Sequence, residues 1–444
     1  MPGALSFRHG VHPPDRKELT AALPIRRLPF PDEVILPLRQ HTGRPARPVV
    51  SPGDRVERGD EIAEADGFVS SPVHASAAGT VTAIERWPHP DGSWSPAVRI
   101  AVEPHSAQEP RPRRVPDWTT LSPPEIVDAV RRAGLVGLGG AAFPTHVKLS
   151  PPEDRPIDTL LINGCECEPY LTTDHRSMVE HPERVHLGIR IMLRCLGVEE
   201  AWIGIERNKP DALQAIIEAL PDDLPVRVVA LDVKYPQGAE KMLIEAVLGR
   251  EVPSGGLPLD VGVLVQNVAS VATMAEVFET GLPLIERIVT VTGRGVRRPA
   301  NLLVPVGTRL RYLIEDCGGL TDDAQEIVFG GPMMGAPQAN LDVPICKGTT
   351  GVVVLSRDEC RPPQVHPCIR CGHCLESCPV YLNPQLLGSL ALAGRYEEMA
   401  TQHLGDCMLC GCCSYTCPSN IPLSQLFSLA RSALRRQAAH EAAE

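Results

Sequence analysis

No stretch of this 444-residue chain approaches the uninterrupted run of about 18 to 20 apolar residues that a membrane-spanning helix requires. The richest segment, Val261 to Ala275, is broken by Gln266 and Asn267. The opening residues hold neither a compact apolar block nor a small-residue cleavage site, so no secretory signal is expected and a cytoplasmic protein is. A concentrated basic face is also missing. The formal charge is -11, whereas neutralising phosphates takes clustered Lys and Arg, and nucleic acid is therefore not an expected partner.

What is present is length, apolar content and cysteine. A chain of 444 residues with 43% apolar composition can bury about three domain cores. Fifteen cysteines without an export signal argue against a disulfide framework, because the cytosol keeps thiols reduced; metal or redox chemistry is the better expectation.

Residues 1 to about 105 read as short strands between Gly and Asp turns, with Val50 to Val56, Gly59 to Ile62, Ser71 to Ala75 and Gly79 to Val81 alternating apolar and polar positions. The pattern resembles the hairpins of a biotinyl or lipoyl carrier, but the expected tip is Asp66-Gly67-Phe68, without the lysine that carries the prosthetic group. A proline-rich linker from Pro104 to Pro124 leads into a helix over Pro124 to Ala133. Beyond Gly134, apolar runs at Thr159–Ile162, Ala201–Ile205, Val226–Val233 and Val261–Val265 alternate with helical patterns at Pro182–Leu196, Asp211–Leu220 and Glu240–Leu248. That alternation implies a mostly parallel sheet with helices on its faces. From about Arg287 to Val343 short strands return, suggesting a small β-grasp-like domain, and from Pro367 the chain is helical and cysteine-rich.

Cys368, Cys371, Cys374 and Cys378 follow the spacing CxxCxxCxxxC with Pro379 next, and Cys407, Cys410, Cys413 and Cys417 repeat it with Pro418. Three cysteines so spaced wrap a tight loop around a four-iron cubane, and in two-cluster ferredoxins the fourth ligates the other cluster. The expected sets are therefore Cys368, Cys371, Cys374 and Cys417 for one [4Fe-4S] cluster, and Cys407, Cys410, Cys413 and Cys378 for the second. Zinc also takes CxxC pairs, but it closes with four ligands and needs no second triplet. Cys412 reads as a bystander thiol, and Cys195, Cys317, Cys346 and Cys360 as small buried apolar residues.

Clusters carry single electrons, so a two-electron partner is needed, and a flavin is the usual converter. The run Gly134-Leu-Val-Gly137-Leu-Gly139-Gly140-Ala-Ala-Phe143-Pro-Thr-His-Val-Lys148 offers bare backbone and an ammonium to phosphate. It follows a helical pattern, not a strand, which argues against a dinucleotide fingerprint. Asn163-Gly-Cys-Glu166-Cys-Glu168-Pro169-Tyr170 follows a strand, and Tyr235-Pro-Gln-Gly238-Ala-Glu240-Lys241 opens a helix. Both belong at the carboxyl edge of the sheet, where ligands of α/β domains sit. Cys165 and Cys167 alone supply only two metal ligands.

Those runs, together with Gln266-Asn-Val-Ala269, Gly330-Gly-Pro-Met-Met-Gly335, Lys347-Gly-Thr-Thr-Gly351 and both cysteine motifs, resemble the RnfC subunit of the Rnf-type ion-translocating oxidoreductase, a relative of the flavin subunit of respiratory complex I. The resemblance covers nearly the whole chain. It implies a multidomain α/β protein: a barrel-sandwich hybrid-like β domain at 1–110, a Rossmann-like FMN/NADH domain at 120–285, a β-grasp SLBB-like domain at 286–345 and an α-helical two-cluster ferredoxin domain at 360–436. It implies FMN bound by Gly137, Gly139, Gly140, Lys148, Asn163, Glu166, Glu168, Tyr235, Gly238, Glu240 and Asn267, with Glu166, Phe143 and Glu240 at the chemistry and Phe143 placing the nicotinamide of NADH. Cys165 and Ala142 depart from the family pattern. The implied setting is peripheral, on the cytoplasmic side of a bacterial inner membrane. The implied partners are the membrane subunits of one redox pump, including an iron-sulfur subunit, with ferredoxin or flavodoxin reached indirectly and electron flow reversible. A cobalamin reductase of a bacterial microcompartment and a non-catalytic iron-sulfur bridge remain alternatives. The C-terminal stripe Leu423, Leu426, Phe427, Leu429, Ala430 and Leu434 is expected to pack into a core.

Overall fold

The computed structural model of the protein describes residues 5–110, 117–360 and 364–441. The turn-punctuated N-terminal sequence folds as β1 (Ile25–Arg27), β2 (Glu33–Pro37), β3 (Arg47–Pro48), β4 (Arg55–Val56), β5 (Glu61–Glu64), β6 (Val73–His74), β7 (Gly79–Pro88) and β8 (Trp94–Val102). One sheet runs β2-β8-β7-β4 and a second β3-β5-β6. Val34, Leu36, Ile62, Val73 and Ile100 are buried in the core that they share. The alternating pattern works because each strand turns one face inward.

After α1 (Pro123–Arg132) and α2 (Thr145–Lys148), the chain builds β9 (Thr159–Gly164), α3 (Thr173–Glu180), α4 (Pro182–Leu196), β10 (Ala201–Glu206), α5 (Pro210–Glu218), β11 (Val226–Leu231), α6 (Glu240–Leu248), β12 (Val263–Asn267) and α7 (Val268–Thr280). The sheet order is β11-β10-β9-β12, and every pairing is parallel. Two of these helices are not legible as sequence patterns. In α7, Val268, Ala269, Ser270, Val271, Ala272, Met274 and Ala275 are all buried, so the apolar face is too broad for the polar positions to stand out as a period. In α3, Thr173, Asp174, His175 and Ser177 are buried polar residues, which reads as a loop.

The next sheet crosses the expected boundaries. β13 (Glu286–Thr292), β14 (Ala300–Pro305), α8 (Leu310–Asp316), β15 (Ala324–Phe329) and β16 (Ala336–Pro337) are followed by β17 (Gly351–Ser356). The order β1-β14-β13-β17-β15-β16 takes in β17, past the expected end at 345, and β1, from within the first 110 residues. The reason is burial. Val352, Val353 and Val354 are wholly buried, and a run that apolar needs strands on both sides, β13 parallel and β15 antiparallel.

The C-terminal domain comprises α9 (His373–Glu376), α10 (Pro384–Leu392), α11 (Tyr396–Thr401), α12 (Cys412–Tyr415) and α13 (Leu423–Glu441). Leu423, Phe427 and Ala430 pack with Leu387, Leu390 and Met399, whereas Leu429 is exposed. No helix among the described residues is long and apolar enough to cross a membrane.

Helices α4 and α7 approach closely at Gly188, where an added Cβ would lie 2.1 Å from the Val271 carbonyl oxygen. Gly188→Val is expected to destabilise the protein by about 1–3 kcal/mol or more, as overpacking against backbone that cannot yield, measured by chemical denaturation.

Candidate functional site

The chain leaves β9 toward β10 and β11, then returns on the opposite side of β9 as β12. Strands diverging in this way open a crevice at their carboxyl ends. The register sets Asn163 against Asn267 at that point. Asn267 caps α7, its Oδ1 accepting from Ser270 N at 3.1 Å, while its Nδ2 donates to Asp174 at 2.7 Å. Asn163 donates from Nδ2 to the Gly238 carbonyl at 2.8 Å and accepts from Cys165 N at 3.0 Å. Both amides thus position neighbouring backbone at the crevice.

The glycine-rich loop lies over this edge. Leu138 N donates to Ser270 Oγ at 2.7 Å, and Gly137 N donates to the Phe143 carbonyl at 2.8 Å. A Cβ at Gly139 would stand 3.4 Å from the Asn267 side chain, whereas Gly140, at φ +106°, faces open space. Phe143 is half-buried. Lys148 extends its ammonium to Glu240 at 2.5 Å and to the Val265 carbonyl at 3.0 Å. Glu240 begins α6, whose first N–H groups take no side-chain cap. Bare glycine backbone, an ammonium and a helix N-terminus are the donor set that a phosphate monoester requires. The residues present therefore fit the phosphate end of FMN.

Three residues that supply the loop's outer support were not among the expected site residues, although Lys347 opens one of the runs that carry the resemblance. Arg287 is buried and donates to the Leu138 carbonyl at 3.2 Å and to the Lys347 carbonyl; burial lowers its guanidinium to about 10. The Lys347 ammonium, pushed down to about 7 by burial, donates to Pro72 and Gly134 carbonyls at 2.8 and 2.7 Å. Thr42, from the N-terminal domain, donates its hydroxyl to Ala141 O at 2.9 Å and its N–H to Ala142 O at 3.1 Å. A cation within a strand-forming run, Arg287 ahead of Ile-Val-Thr-Val, was the available signal.

Three expected contacts are placed differently. Glu166 is buried and accepts from Thr173 Oγ1, Asp174 N and His175 N at 2.8, 3.0 and 3.2 Å, so its carboxylate anchors the start of α3 and is not a free group in the crevice. Glu168 accepts from Met333 N and Met334 N at 3.1 and 2.9 Å, which pins the Gly-Pro-Met-Met-Gly loop. Tyr235 donates its hydroxyl to the Cys410 carbonyl at 2.8 Å, away from the glycine loop. In each case burial demands a partner for a polar group, and the neighbouring chain supplies it. Gly238, Glu240 and Lys148 remain at the crevice. A Cβ at Gly238 would meet the Cys165 carbonyl at 2.7 Å. Cys165 is buried, its thiol 3.6 Å from the Gly204 carbonyl.

The cysteines gather around two cavities. Cys368, Cys371, Cys374 and Cys417 line one; Cys378, Cys407, Cys410, Cys412 and Cys413 line the other. The two motifs share one backbone course. Arg370 and Leu409 (φ +55° and +57°), Gly372 and Gly411 (+86° and +82°), and Tyr381 and Asn420 (+55° and +53°) occupy matching places. Left-handed non-glycine residues cost on the order of 1–2 kcal/mol each, and here they curl the backbone so that the thiols of each triplet turn into one cavity. Among the described residues, no three His, Cys, Asp or Glu side chains converge closely enough for a single metal ion. Four motif thiols around each of two cavities are the donor set that two cubanes require. Cys412 is buried, its thiol pointing at the Tyr235 carbonyl 3.9 Å away. Cys195, Cys317 and Cys346 are buried, whereas Cys360 is only half-buried.

Residues 130–276 match the family described as the Nuo51 FMN-binding domain, 5–105 the RnfC barrel sandwich hybrid domain, 288–337 the SLBB domain and 364–421 the 4Fe-4S dicluster domain. The RnfC-type subunit of the proton-translocating ferredoxin:NAD(+) oxidoreductase complex of Clostridium ljungdahlii is 46% identical, over 90% of this chain and 87% of that one. Its counterpart in the Na(+)-translocating ferredoxin:NAD(+) oxidoreductase complex of Acetobacterium woodii is 42% identical, over 85% and 86%. The counterpart in the ion-translocating oxidoreductase complex of Rhodobacter capsulatus is 43% identical, over 97% and 83%.

Burial raises the Glu168 carboxyl to about 7, against the pull of the Met333 and Met334 N–H groups. A folded-state value above the unfolded one means that stability is lost as pH rises from about 4.5 through 7. Glu168→Gln, uncharged throughout, is expected to melt above the wild type at about pH 8 and to lose that advantage by about pH 5, as thermal denaturation across the pH range would read.

Proposed function

The chain belongs to the RnfC family of subunits of ion-translocating oxidoreductase complexes, and on that premise we propose that it exchanges hydride with NADH at an FMN site and relays single electrons through two [4Fe-4S] clusters to membrane subunits of its complex. The observation that carries this reading is the convergence of bare glycine backbone, Lys148 and the N-terminus of α6 on the β9/β12 crevice, with a cysteine-lined cavity docked on the same domain through Tyr235 and Cys410. Exchange between hydride and single electrons is the chemistry that a bound flavin supplies.

The chain's own residues supply placement. Gly139 and Gly140 present N–H groups to the phosphate, Gly137 ties the base of the loop to the Phe143 carbonyl, and Lys148 adds charge while Glu240 orients its ammonium. Asn163 and Asn267 hold Gly238 and the first turn of α7 against the crevice. Phe143, in the loop, is suited to bounding the nicotinamide. Glu166 fixes the start of α3 behind Asn267, through the Asp174 link. The proposed ligands are Cys378, Cys407, Cys410 and Cys413 for the inner cluster and Cys368, Cys371, Cys374 and Cys417 for the outer. The order follows from exposure: Cys410 and Cys413 are buried, with Cys410 packed on Tyr235, whereas Cys368 and Cys371 are exposed. Electrons would pass from flavin to inner cluster to outer cluster and then to a partner. Kinship with subunits of ion-translocating complexes supports a peripheral place in such a complex, and the use of NADH supports its cytoplasmic face.

Purified holoprotein is expected to contain FMN and eight irons, about four per cubane, and to develop two cluster EPR signals on addition of NADH. Lack of FMN, or rapid NADH-dependent cobalamin reduction without association with membrane redox subunits, would refute the reading. Cys417→Ala is expected to abolish the outer cluster's signal and Cys378→Ala the inner one's, whereas Cys412→Ala retains both. Lys148→Ala should weaken FMN retention by roughly tenfold or more, the range for a lost hydrogen bond to a charged group, as equilibrium dialysis would measure.

A further inference from the structure

Residues 5–12 run between the flavin domain and the ferredoxin domain and bond to both. On the flavin side, Asp232 N donates to Leu5 O at 3.1 Å. Lys234 donates to Phe7 O at 2.8 Å and stands over the Phe7 ring at 4.6 Å. Val11 and Tyr235 exchange both backbone bonds at 2.9 Å. On the ferredoxin side, Gly10 N donates to Ser377 O at 3.2 Å, and His9 Nδ1 donates to the carbonyl of Cys378 at 3.1 Å. The His9 ring also lies 4.7 Å from that of Tyr381. The crossing point admits only glycine: Gly10 sits at φ +80°, and a Cβ there would come within 2.6 Å of the Tyr235 carbonyl oxygen.

These contacts close a ring around the inner cavity. His9 and Gly10 hold the Cys378 side, Val11 holds Tyr235, and the Tyr235 hydroxyl holds Cys410 at 2.8 Å. Attachment of the ferredoxin domain has a separate anchor, Asp406, which accepts from Ser254 Oγ at 2.5 Å and Gly255 N at 2.8 Å. The segment's distinct contribution is therefore to the position of the inner cavity relative to the flavin domain.

We propose that residues 5–12 are a positioning strap that fixes the inner cluster against the Tyr235 loop and so sets the rate at which electrons, supplied in pairs by NADH, leave the flavin one at a time and reduce that cluster. The proposal rests on the FMN site and cysteine ligation argued above.

The test uses the full chain loaded with its cofactors and two variants, Gly10→Val, which forces the backbone aside, and His9→Ala, which removes one hydrogen bond and one ring contact. FMN and iron contents and the rate of flavin reduction by NADH are expected to match the wild type. Cluster reduction in rapid mixing is expected to slow several-fold in Gly10→Val, as the donor-to-acceptor distance lengthens, and less in His9→Ala. Hydrogen exchange of the 374–381 and 233–236 amides should quicken in both. Should Gly10→Val fail to fold, His9→Ala decides alone. Unchanged cluster reduction and exchange in the folded variants, or equal slowing of the flavin and cluster steps, would overturn the strap. Wild-type protein without FMN would instead overturn the functional reading beneath it.

Discussion

Each cysteine cavity is lined by the triplet of one CxxCxxCxxxC motif and the last cysteine of the other, and the architecture of the C-terminal half follows from that exchange. Cys378 must reach the Cys407 triplet and Cys417 the Cys368 triplet, so α10 and α11 have to fold back between the motifs and α13 must close over them. The paired left-handed residues impose the same curl twice. Their conformational cost persists because the surrounding packing of Leu387, Met399 and Phe427 determines the backbone course.

The flavin-type domain meets a comparable constraint by different means. Its crevice exists because β12 returns on the far side of β9, and the loop above it is braced from two other domains, by Thr42 on one side and by Arg287 and Lys347 on the other. Two buried basic side chains bonded mainly to carbonyl oxygens are an unusual way to fix a loop, since burying a charge is costly. The cost is moderated by short carbonyl contacts, and the result is a glycine-rich segment whose own side chains give it little rigidity yet whose path is fixed. Bare backbone can then face a ligand without collapsing.

Spacing and composition made the cysteine motifs legible, since ligand geometry is local. The same is true of α4 and α6, whose limits Pro182–Leu196 and Glu240–Leu248 coincide with the periodic runs. The sheet of four parallel strands was legible because each strand is a compact apolar run. Helix α7 was not, because its buried face is too broad to stand out as a stripe, and α3 was not, because its polar residues face partners inside the protein. The roles of Glu166, Glu168 and Tyr235 were hidden for a related reason. A motif identifies residues that gather at a site, but whether a carboxylate faces a ligand or a neighbouring backbone depends on chain brought from far away: Met333 and Met334 for Glu168, the start of α3 for Glu166, Cys410 for Tyr235. The β17 and β1 strands lay beyond reach likewise, as their partners are distant in sequence.

The contact between His9 and Cys378 spans 369 positions. A segment that leaves the ribosome early therefore finds its place only after the ferredoxin domain has been made. Until then His9 and Gly10 lack the acceptors that the Cys378 and Ser377 carbonyls bring, and the strap is held from the flavin side alone. Docking of residues 5–12 is thus a late act of biogenesis. A product cut short before Cys378 would leave that segment half-fastened, marking itself as unfinished to any protease that surveys loose chain.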